Sequence, residues 1–226
     1  MTRNRLAALL AGWIGAALML APGVGGAHNE QGADDNAHSG HGATTERTGP
    51  ASQSGGVDIE LHDLELLDQN GWPVRFKSDV IADKLIVMSV MYTTCTTVCP
   101  VTSAIFAQLQ KRLGPRVGDD VRLVSLTVDP ATDTPQRLKQ QAKKFNAGAG
   151  WVWLTGEKRA MDIVLDGIGA YTNNFRDHPT IVLVGDGRSG AWKRFFGFPD
   201  PDALLSEIDQ LGAARKVSSL PKATAQ

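Results

Sequence analysis

The sequence predicts an α/β domain, built on a mixed β-sheet that helices cover on both faces. Two near-continuous apolar runs, Leu85–Met91 and residues 121–128, are typical of strands buried on both sides. A third run occupies residues 180–185. Apolar residues at helical spacing lie between the runs, and strands that alternate with helices favour a sheet with helices on both faces.

The first half of the domain is predicted to begin with a β-hairpin. Residues 57–61 alternate between apolar and polar as in a strand, and residues 64–67 continue the apolar signal. Asp68-Gln69-Asn70-Gly71 then predicts the hairpin turn. After the first apolar run, Pro100 suits the first turn of a helix, where a missing N–H costs little. That helix is expected to end at Gly114-Pro115.

The second half is predicted to alternate strands and helices. Asp133 or Thr134 can cap a helix that has Pro135 near its first position and runs to about Phe145. The remaining predicted elements are a strand at 151–154, a helix at 159–171, a hairpin turn at 186–190, a strand at 191–197 and a last helix at 200–211. A β-hairpin, a βαβ unit and a hairpin followed by a helix resemble the plan of the thioredoxin-like fold, an assignment that rests partly on analogy.

The N-terminus is typical of a secretory signal. Arg3 and Arg5 precede an apolar segment at residues 6–20, and small or turn-forming residues lead to Ala27. We expect cleavage after Ala27; the alternative is an uncleaved anchor, because small residues extend the apolar span. In both cases the rest of the chain is exported, either free in the periplasm or tethered to the outer face of the inner membrane, where disulfides can persist.

Residues 28–56 are predicted to be a disordered linker, because small and polar residues dominate without apolar periodicity. The linker carries His28, His38 and His41, which form either a solvated tether or a metal-collecting tail. The folded domain is expected over residues 57–211, with a flexible tail at 212–226. The net charge of −1 argues against a nucleic-acid-binding protein, whose binding domain would be strongly basic.

Cys95 and Cys99 are the only cysteines, and they follow the first apolar run. A disulfide between them would close a very small loop, so it would stabilise the fold by less than the ~3 kcal/mol of a fifteen-residue loop. Redox chemistry or a soft metal explains the pair better. Residues four apart share one face of a helix, and the positive end of the helix dipole favours thiolates.

A third donor to copper is also available in the domain. Two thiolates leave Cu(I) short of one ligand, and imidazole is a suitable one. The predicted domain contains only His62 and His178. His178 directly precedes the third apolar run, and in a thioredoxin-like sheet that turn faces the cysteine turn. We therefore predict His178 as the ligand, with Asp177 as a candidate to orient its imidazole, and His62 as a surface histidine.

Three motifs together resemble the Sco/SenC family: Thr94-Cys95-Thr96-Thr97-Val98-Cys99-Pro100, Val128-Asp129-Pro130 through Asp133-Thr134-Pro135, and Asp177-His178. The resemblance covers about residues 57–211. It implies copper binding through Cys95, Cys99 and His178. It also implies a role in assembling the dinuclear copper centre of cytochrome c oxidase, by copper delivery, by thiol reduction or by both. The implied partner is the copper-centre subunit of a respiratory oxidase, together with other periplasmic copper or thiol-redox proteins.

Two departures from the family pattern bear on the choice between these roles. Thr96 and Thr97 stand where the family usually has Pro and Asp, which we expect to loosen the turn and change the redox potential. Pro179 follows the histidine where the family often has Ser or Thr, and a proline there is a feature of thioredoxin-type oxidoreductases. The second hypothesis is therefore a thiol–disulfide oxidoreductase in which Cys95 attacks and Cys99 resolves.

Simpler interpretations compete at several positions. A structural disulfide in a binding module is the third hypothesis. Peroxidase activity is disfavoured, because this sequence places no basic residue beside either cysteine. Asp133 is expected to be a helix cap, and Asp129 either a turn residue or a neighbour of the cysteines. Packing in the core and at its rim is the interpretation for five aromatic residues: Trp151, Trp153, Trp192, Phe195 and Phe196.

Overall fold

The computed structural model describes residues 54–219, and the predictions for the signal or anchor and for His28, His38 and His41 lie outside them. The strands are β1 Ser54–Gly56, β2 Glu65–Asp68, β3 Pro73–Arg75, β4 Leu85–Met91, β5 Val121–Thr127, β6 Trp151–Thr155, β7 Ile181–Asp186 and β8 Trp192–Phe196. The α-helices are α1 Val98–Leu113, α2 Pro135–Lys144, α3 Lys158–Gly167 and α4 Pro201–Ser218. Short helical turns occupy Phe76–Ile81, Gly114–Arg116 and Phe175–Asp177. No helix within residues 54–219 is long and apolar enough to span a bilayer.

All eight of these strands form one sheet in the order β1-β8-β7-β4-β5-β6-β2-β3. The central strand β4 runs parallel to β5 and antiparallel to β7, and β5 runs parallel to β6. The predicted mixed sheet is therefore confirmed. Parallel β4 and β5 end together, and the residues that follow each of them meet at one edge.

Burial on both faces explains why β4 is apolar at every position except Ser89. Leu85, Val87 and Met91 pack in one core layer beneath α1, α2 and α4. Ile86 and Met88, like the other residues on the opposite face, pack beneath α3 and the Phe76–Ile81 turn. Because side chains alternate across a strand, a nearly continuous apolar run is required to fill both layers. The expected helix cover on both faces is confirmed.

The ends of the strands form two opposite sides of the sheet, the cysteine edge and the far edge. The cysteine edge carries Met91 at the end of β4 and Thr127 at the end of β5, and β7 begins there at Ile181. The far edge carries Leu85 at the start of β4, which pairs with Asp186 at the end of β7. The cysteine loop and the residues before β7 therefore lie at the same edge, as predicted.

The predicted strand over residues 57–61 is wrong. The Val57 N–H bonds the carbonyl of Trp192, but the Glu60 N–H turns to the carbonyl of Gly167 at the end of α3, at 2.8 Å. Beyond Val57, which bonds the first residue of β8, the segment pairs with no strand, so alternation buries one side without making a ladder. A Cβ on Gly167 would lie 2.2 Å from the Glu60 carbonyl oxygen, so this contact requires glycine. The predicted hairpin is formed by β2 and β3, with Gly71 at φ +82° in its turn.

Three predicted boundaries also change. Residues 54–56, assigned to the linker, pair with β8 as β1. The helix predicted over 159–171 ends at Gly167, where the chain turns through Gly169 at φ +67°. The last helix continues to Ser218, so residues 212–218 of the predicted tail are helical. Consecutive alanines favour that extension, and an ion pair from Arg215 to Asp186 holds it against the far edge.

Candidate metal centre

The sulfur of Cys95 takes the position of a helix cap. After β4 the chain turns, and the Cys95 N–H donates to the Tyr92 carbonyl at 3.2 Å. The Cys99 N–H, in the first turn of α1, donates to the Cys95 sulfur at 3.4 Å. Thr97 is the residue before the helix, but its side chain makes no cap bond and its hydroxyl lies 3.8 Å from the same sulfur. A backbone N–H that is usually satisfied by a capping oxygen is satisfied by Cys95.

The two thiols differ sharply in acidity. Both are free and nearly fully buried. Burial alone would raise the pKa of Cys95, but hydrogen bonds from the Cys99 thiol, the Cys99 N–H and Thr97 outweigh it and lower the pKa to about 7. Burial and the neighbouring Cys95 raise the pKa of Cys99 to about 12. Near neutral pH Cys95 is therefore partly thiolate, while Cys99 remains a thiol.

His178 is prepared to act as a ligand through one nitrogen. Its Nδ1 lies 3.1 Å from the carbonyl oxygen of Pro179. A carbonyl can only accept, so Nδ1 carries the proton and Nε2 keeps its lone pair. Burial lowers the pKa of His178 below its ordinary value, which keeps the ring neutral at pH 7. A neutral imidazole is the form that binds a metal.

Tyr92 lies in the cysteine loop and contacts both His178 and Cys95, and no role was predicted for it. Its ring meets the His178 ring edge-on, with the ring centroids 5.7 Å apart, and the Phe175 ring at 5.1 Å. Burial, followed by a hydrogen bond to the Cys95 side chain, raises the pKa of Tyr92. Its place directly after β4, three residues before a cysteine, is the signal that could have indicated it.

The donor chemistry of the predicted site fits copper. Cys95 and Cys99 are brought together, and His178 lies at the same edge, next to Tyr92. Across residues 54–219, no three His, Cys, Asp or Glu side chains converge closely enough to hold a metal ion. Two sulfurs and an imidazole nitrogen form a soft ligand set that suits Cu(I). The three-ligand site remains a prediction, one that requires His178 to come closer to the two sulfurs.

The remaining predicted residues, Asp177, His62 and the five aromatic residues, bond partners other than the two sulfurs or pack in the core and at its rim. The Asp177 carboxylate accepts from the Asn174 amide at 3.0 Å, and the imidazole of His178 bonds Pro179 instead. His62 pairs with Glu60 at 3.6 Å and is partly exposed. The aromatic packing prediction is confirmed, since four of the five residues are buried and Phe196 lies at the rim.

Asp133 is not the helix cap that was expected. Thr134 caps α2, accepting from the Arg137 N–H at 3.4 Å. The Asp133 side chain is fully buried and accepts from Thr93, two residues before Cys95, and from Thr127. Asp129 is also buried, and its N–H and carbonyl form the turn after β5.

Comparison with known proteins decides the family. The family model described as SCO1/SenC matches residues 54–211. The chain belongs to the SCO1/SenC family. A protein of Stutzerimonas stutzeri that is named for copper binding is 31% identical over 106 residues, which are 47% of this chain and 50% of that protein. The match therefore spans about half the length of this curated relative.

Solved structures of the SCO1/SenC family share the fold. A family lipoprotein from Bacillus anthracis is 26% identical, with a TM-score of 0.60 over 70% of this chain and 97% of that one. BsSco, described as having a disulfide switch and as a member of the Sco family of cytochrome c oxidase assembly proteins, is 22% identical, with a TM-score of 0.59 over 70% and 96%. Copper-bound ScoI of Bradyrhizobium japonicum is 24% identical, with a TM-score of 0.55 over 69% and 98%. The thioredoxin-like fold expected from the sequence is confirmed.

Proposed function

We propose that this SCO1/SenC protein binds copper through Cys95, Cys99 and His178 and helps to assemble the copper centre of cytochrome c oxidase outside the cytoplasm. The observation that carries the proposal is the pair of sulfurs at the start of α1, one of which already accepts a helix N–H. A thiolate stabilised by backbone donors is both a soft-metal ligand and a nucleophile. The copper-binding relatives and the oxidase-assembly relative support the same assignment.

Copper binding is expected to change the protonation of the site. Cys99 has a pKa of about 12 beside Cys95, so two thiolates cannot coexist there at neutral pH without a cation. Cu(I) supplies that positive charge and displaces the Cys99 proton. The neutral His178 contributes Nε2 without losing a proton.

The test is an anaerobic Cu(I) titration against a competing chelator, with His178→Ala compared with His62→Ala. Both variants remove one imidazole from the described domain, but His62 lies on the surface next to Glu60. We expect His178→Ala to lower Cu(I) affinity by about 100-fold and His62→Ala to leave it unchanged. Equal affinities for both variants would show that His178 is not a copper ligand.

The acidity difference between the thiols favours a second candidate function, reduction of a disulfide in the copper-centre subunit. The Cys95 thiolate would attack one target sulfur, forming a mixed disulfide and releasing the other target sulfur as a thiol. Cys99 would lose its proton and attack Cys95, which releases the second target thiol and leaves a Cys95–Cys99 disulfide. Two electrons pass to the target, and the domain must be reduced again before the next cycle.

Thiol counting distinguishes this candidate. The reduced protein is mixed with the oxidised, isolated copper-binding domain of an oxidase subunit, and the free thiols on each partner are counted over time. We expect two thiols to appear on the target for each dithiol consumed. Loss of domain thiols without a gain on the target would rule out the transfer.

A further inference from the structure

The carboxylate of Asp133 accepts hydrogen bonds from the loop that carries the cysteines. The side chain has no exposed surface. It accepts from the Thr93 N–H at 3.0 Å, from the Thr93 hydroxyl and from the Thr127 hydroxyl at 2.6 Å. Thr93 belongs to the loop after β4 and Thr127 is the last residue of β5, so one carboxylate joins the ends of two neighbouring parallel strands.

The position of the carboxylate is itself fixed from the β5 side. The Asp133 N–H donates to the Asp129 carbonyl at 2.9 Å. The Asp129 N–H donates to the Thr127 hydroxyl at 3.0 Å, and that hydroxyl donates onward to Asp133. Backbone and side-chain bonds therefore hold Asp133 to the end of β5, and Thr93 is the part of the network that belongs to the cysteine loop.

Capping does not account for a buried carboxylate at this position. Thr134 already supplies the side-chain acceptor at the start of α2. A carboxylate removed from water is strongly unfavourable unless donors surround it, and here all the donors come from Thr93 and Thr127. The only cation in this network, Arg137, reaches it indirectly by donating from Nε to the Thr93 hydroxyl at 3.2 Å.

We propose that Asp133 is a positioning residue, which fixes the loop of residues 92–95 so that Cys95 presents its sulfur to the start of α1. Thr93 is two residues before Cys95, and Tyr92 accepts the Cys95 N–H, so an anchored Thr93 leaves little freedom to the sulfur. The proposal rests on the proposed function in one respect: it concerns the same reactive cysteine. It adds a residue that touches neither the copper ligands nor a reacting atom.

The experiment measures the alkylation rate of Cys95 by iodoacetamide as a function of pH, in Asp133→Asn and in Thr134→Ala. The Cys99→Ser background restricts alkylation to one thiol. Asparagine keeps the volume but replaces one accepting oxygen with a donating N–H₂ group, so the donors of Thr93 and Thr127 share a single acceptor and the anchor of the loop is weakened. We expect Asp133→Asn to move the midpoint of the pH profile upward by about one unit or more relative to the background, since the released sulfur loses its helix donor. Thr134→Ala should leave the midpoint in place, although it removes the cap of α2.

Thermal unfolding is measured in parallel to separate positioning from stability. If Asp133→Asn lowers the unfolding temperature and leaves the midpoint unchanged, Asp133 serves the fold alone and the proposal is wrong. If that variant does not fold, Thr93→Val replaces it, because valine keeps the shape of threonine and removes the hydroxyl with which the loop donates to Asp133. An unchanged midpoint in a folded Thr93→Val protein then overturns the proposal, and an upward shift supports it. The Cu(I) affinity of the wild type is measured separately. If the wild type does not bind Cu(I), the proposed copper function is wrong, but the alkylation midpoint and the role of Asp133 are unaffected.

Discussion

The two edges of the sheet use polar groups in opposite ways. At the far edge, oppositely charged side chains pair directly: Arg215 bonds Asp186, and Arg116 bonds both Asp120 and Asp209. At the cysteine edge, a carboxylate is surrounded by hydroxyl and N–H donors, and a sulfur accepts a helix N–H. At the far edge, opposite charges cancel in direct ion pairs. At the cysteine edge, the Asp133 carboxylate and the Cys95 sulfur have uncharged donors as partners, so their negative charge is not cancelled.

This difference separates stability from reactivity. The ion pairs at the far edge hold α4 against the sheet, and Asp186 there is buried together with most of Arg215. The cysteine edge contains no such direct pair for Asp133, so its groups depend on backbone position. Substitutions at the far edge should therefore change the free energy of unfolding, and substitutions at the cysteine edge should change chemistry.

The largest expected effect is at the cysteine edge. Cys95→Ser replaces a soft ligand with a hard one, so Cu(I) affinity should fall by about 10³-fold or more in a chelator competition. A serine oxygen can still accept the Cys99 N–H, so the free energy of unfolding should change by less than ~1 kcal/mol. Retained copper affinity in a folded Cys95→Ser protein would contradict the assigned ligand.

The next effect is at the far edge. Asp186→Ala leaves the Arg215 guanidinium without its partner in a mostly buried position, so urea unfolding at pH 7 should show a loss of about 3 kcal/mol. Burial opposes ionisation of Asp186, but the hydrogen bonds from Arg215 and from the Arg188 N–H, together with the charge of Arg215, outweigh it and lower the pKa of the carboxyl. The stabilisation is thus present above the unfolded pKa of about 3.9 and disappears as the pH falls through the lower folded pKa.

The control for this prediction is copper affinity, which Asp186→Ala should leave unchanged because the residue lies at the opposite end of β7 from His178. A difference from wild type that persists undiminished well below pH 4 would mean that ionised Asp186 is not its source.

The change in Cu(I) affinity for each pH unit is expected to be smaller than the effects of the two substitutions above. Below pH 7 both cysteines are protonated, so each Cu(I) displaces about two protons; above pH 7 only Cys99 still carries one. The apparent affinity should therefore rise about 100-fold per pH unit below pH 7 and about tenfold per unit above it. Proton release, followed with a pH indicator during titration, checks the count. A constant slope through pH 7 would contradict the assigned acidity of Cys95.

The smallest effect belongs to an exposed ion pair on α3. Lys158 bonds Asp162 one turn later on α3, and both side chains reach solvent. Asp162→Asn should change the free energy of unfolding by less than ~0.5 kcal/mol, measured beside Asp186→Ala in the same urea series. An effect equal to that of Asp186→Ala would remove the distinction between buried and exposed pairs.

The elements that sequence predicted well are those whose signal is local. A run such as Leu85–Met91 must be buried on both faces wherever it lies, so its identity as a strand needs no knowledge of neighbours. Residues 57–61 also carry a local alternation, but a strand needs a partner, and the Glu60 N–H finds Gly167 instead. The alternation of apolar and polar residues can indicate which face of a segment is buried, but it does not indicate whether another strand lies beside that segment.

The same distinction applies to the site. The cysteine spacing predicted a pair at a helix start, and the structure brings the two together. Asp133 was predicted as a cap because its neighbours in sequence are typical of one, yet its actual partners are 40 and 6 residues away. Tyr92 carries no motif, and its importance depends on contacts with His178 and Cys95 that exist only after folding.

The bond from the Cys99 N–H to the Cys95 sulfur has a spectroscopic consequence. An amide proton shifts its resonance when the electron density on its acceptor changes. Loss of the Cys95 proton, oxidation of the sulfur and coordination of a metal each change that density differently. The Cys99 amide is therefore a native reporter, and one cross-peak in a nitrogen–proton spectrum can follow the chemical state of the sulfur without an attached probe.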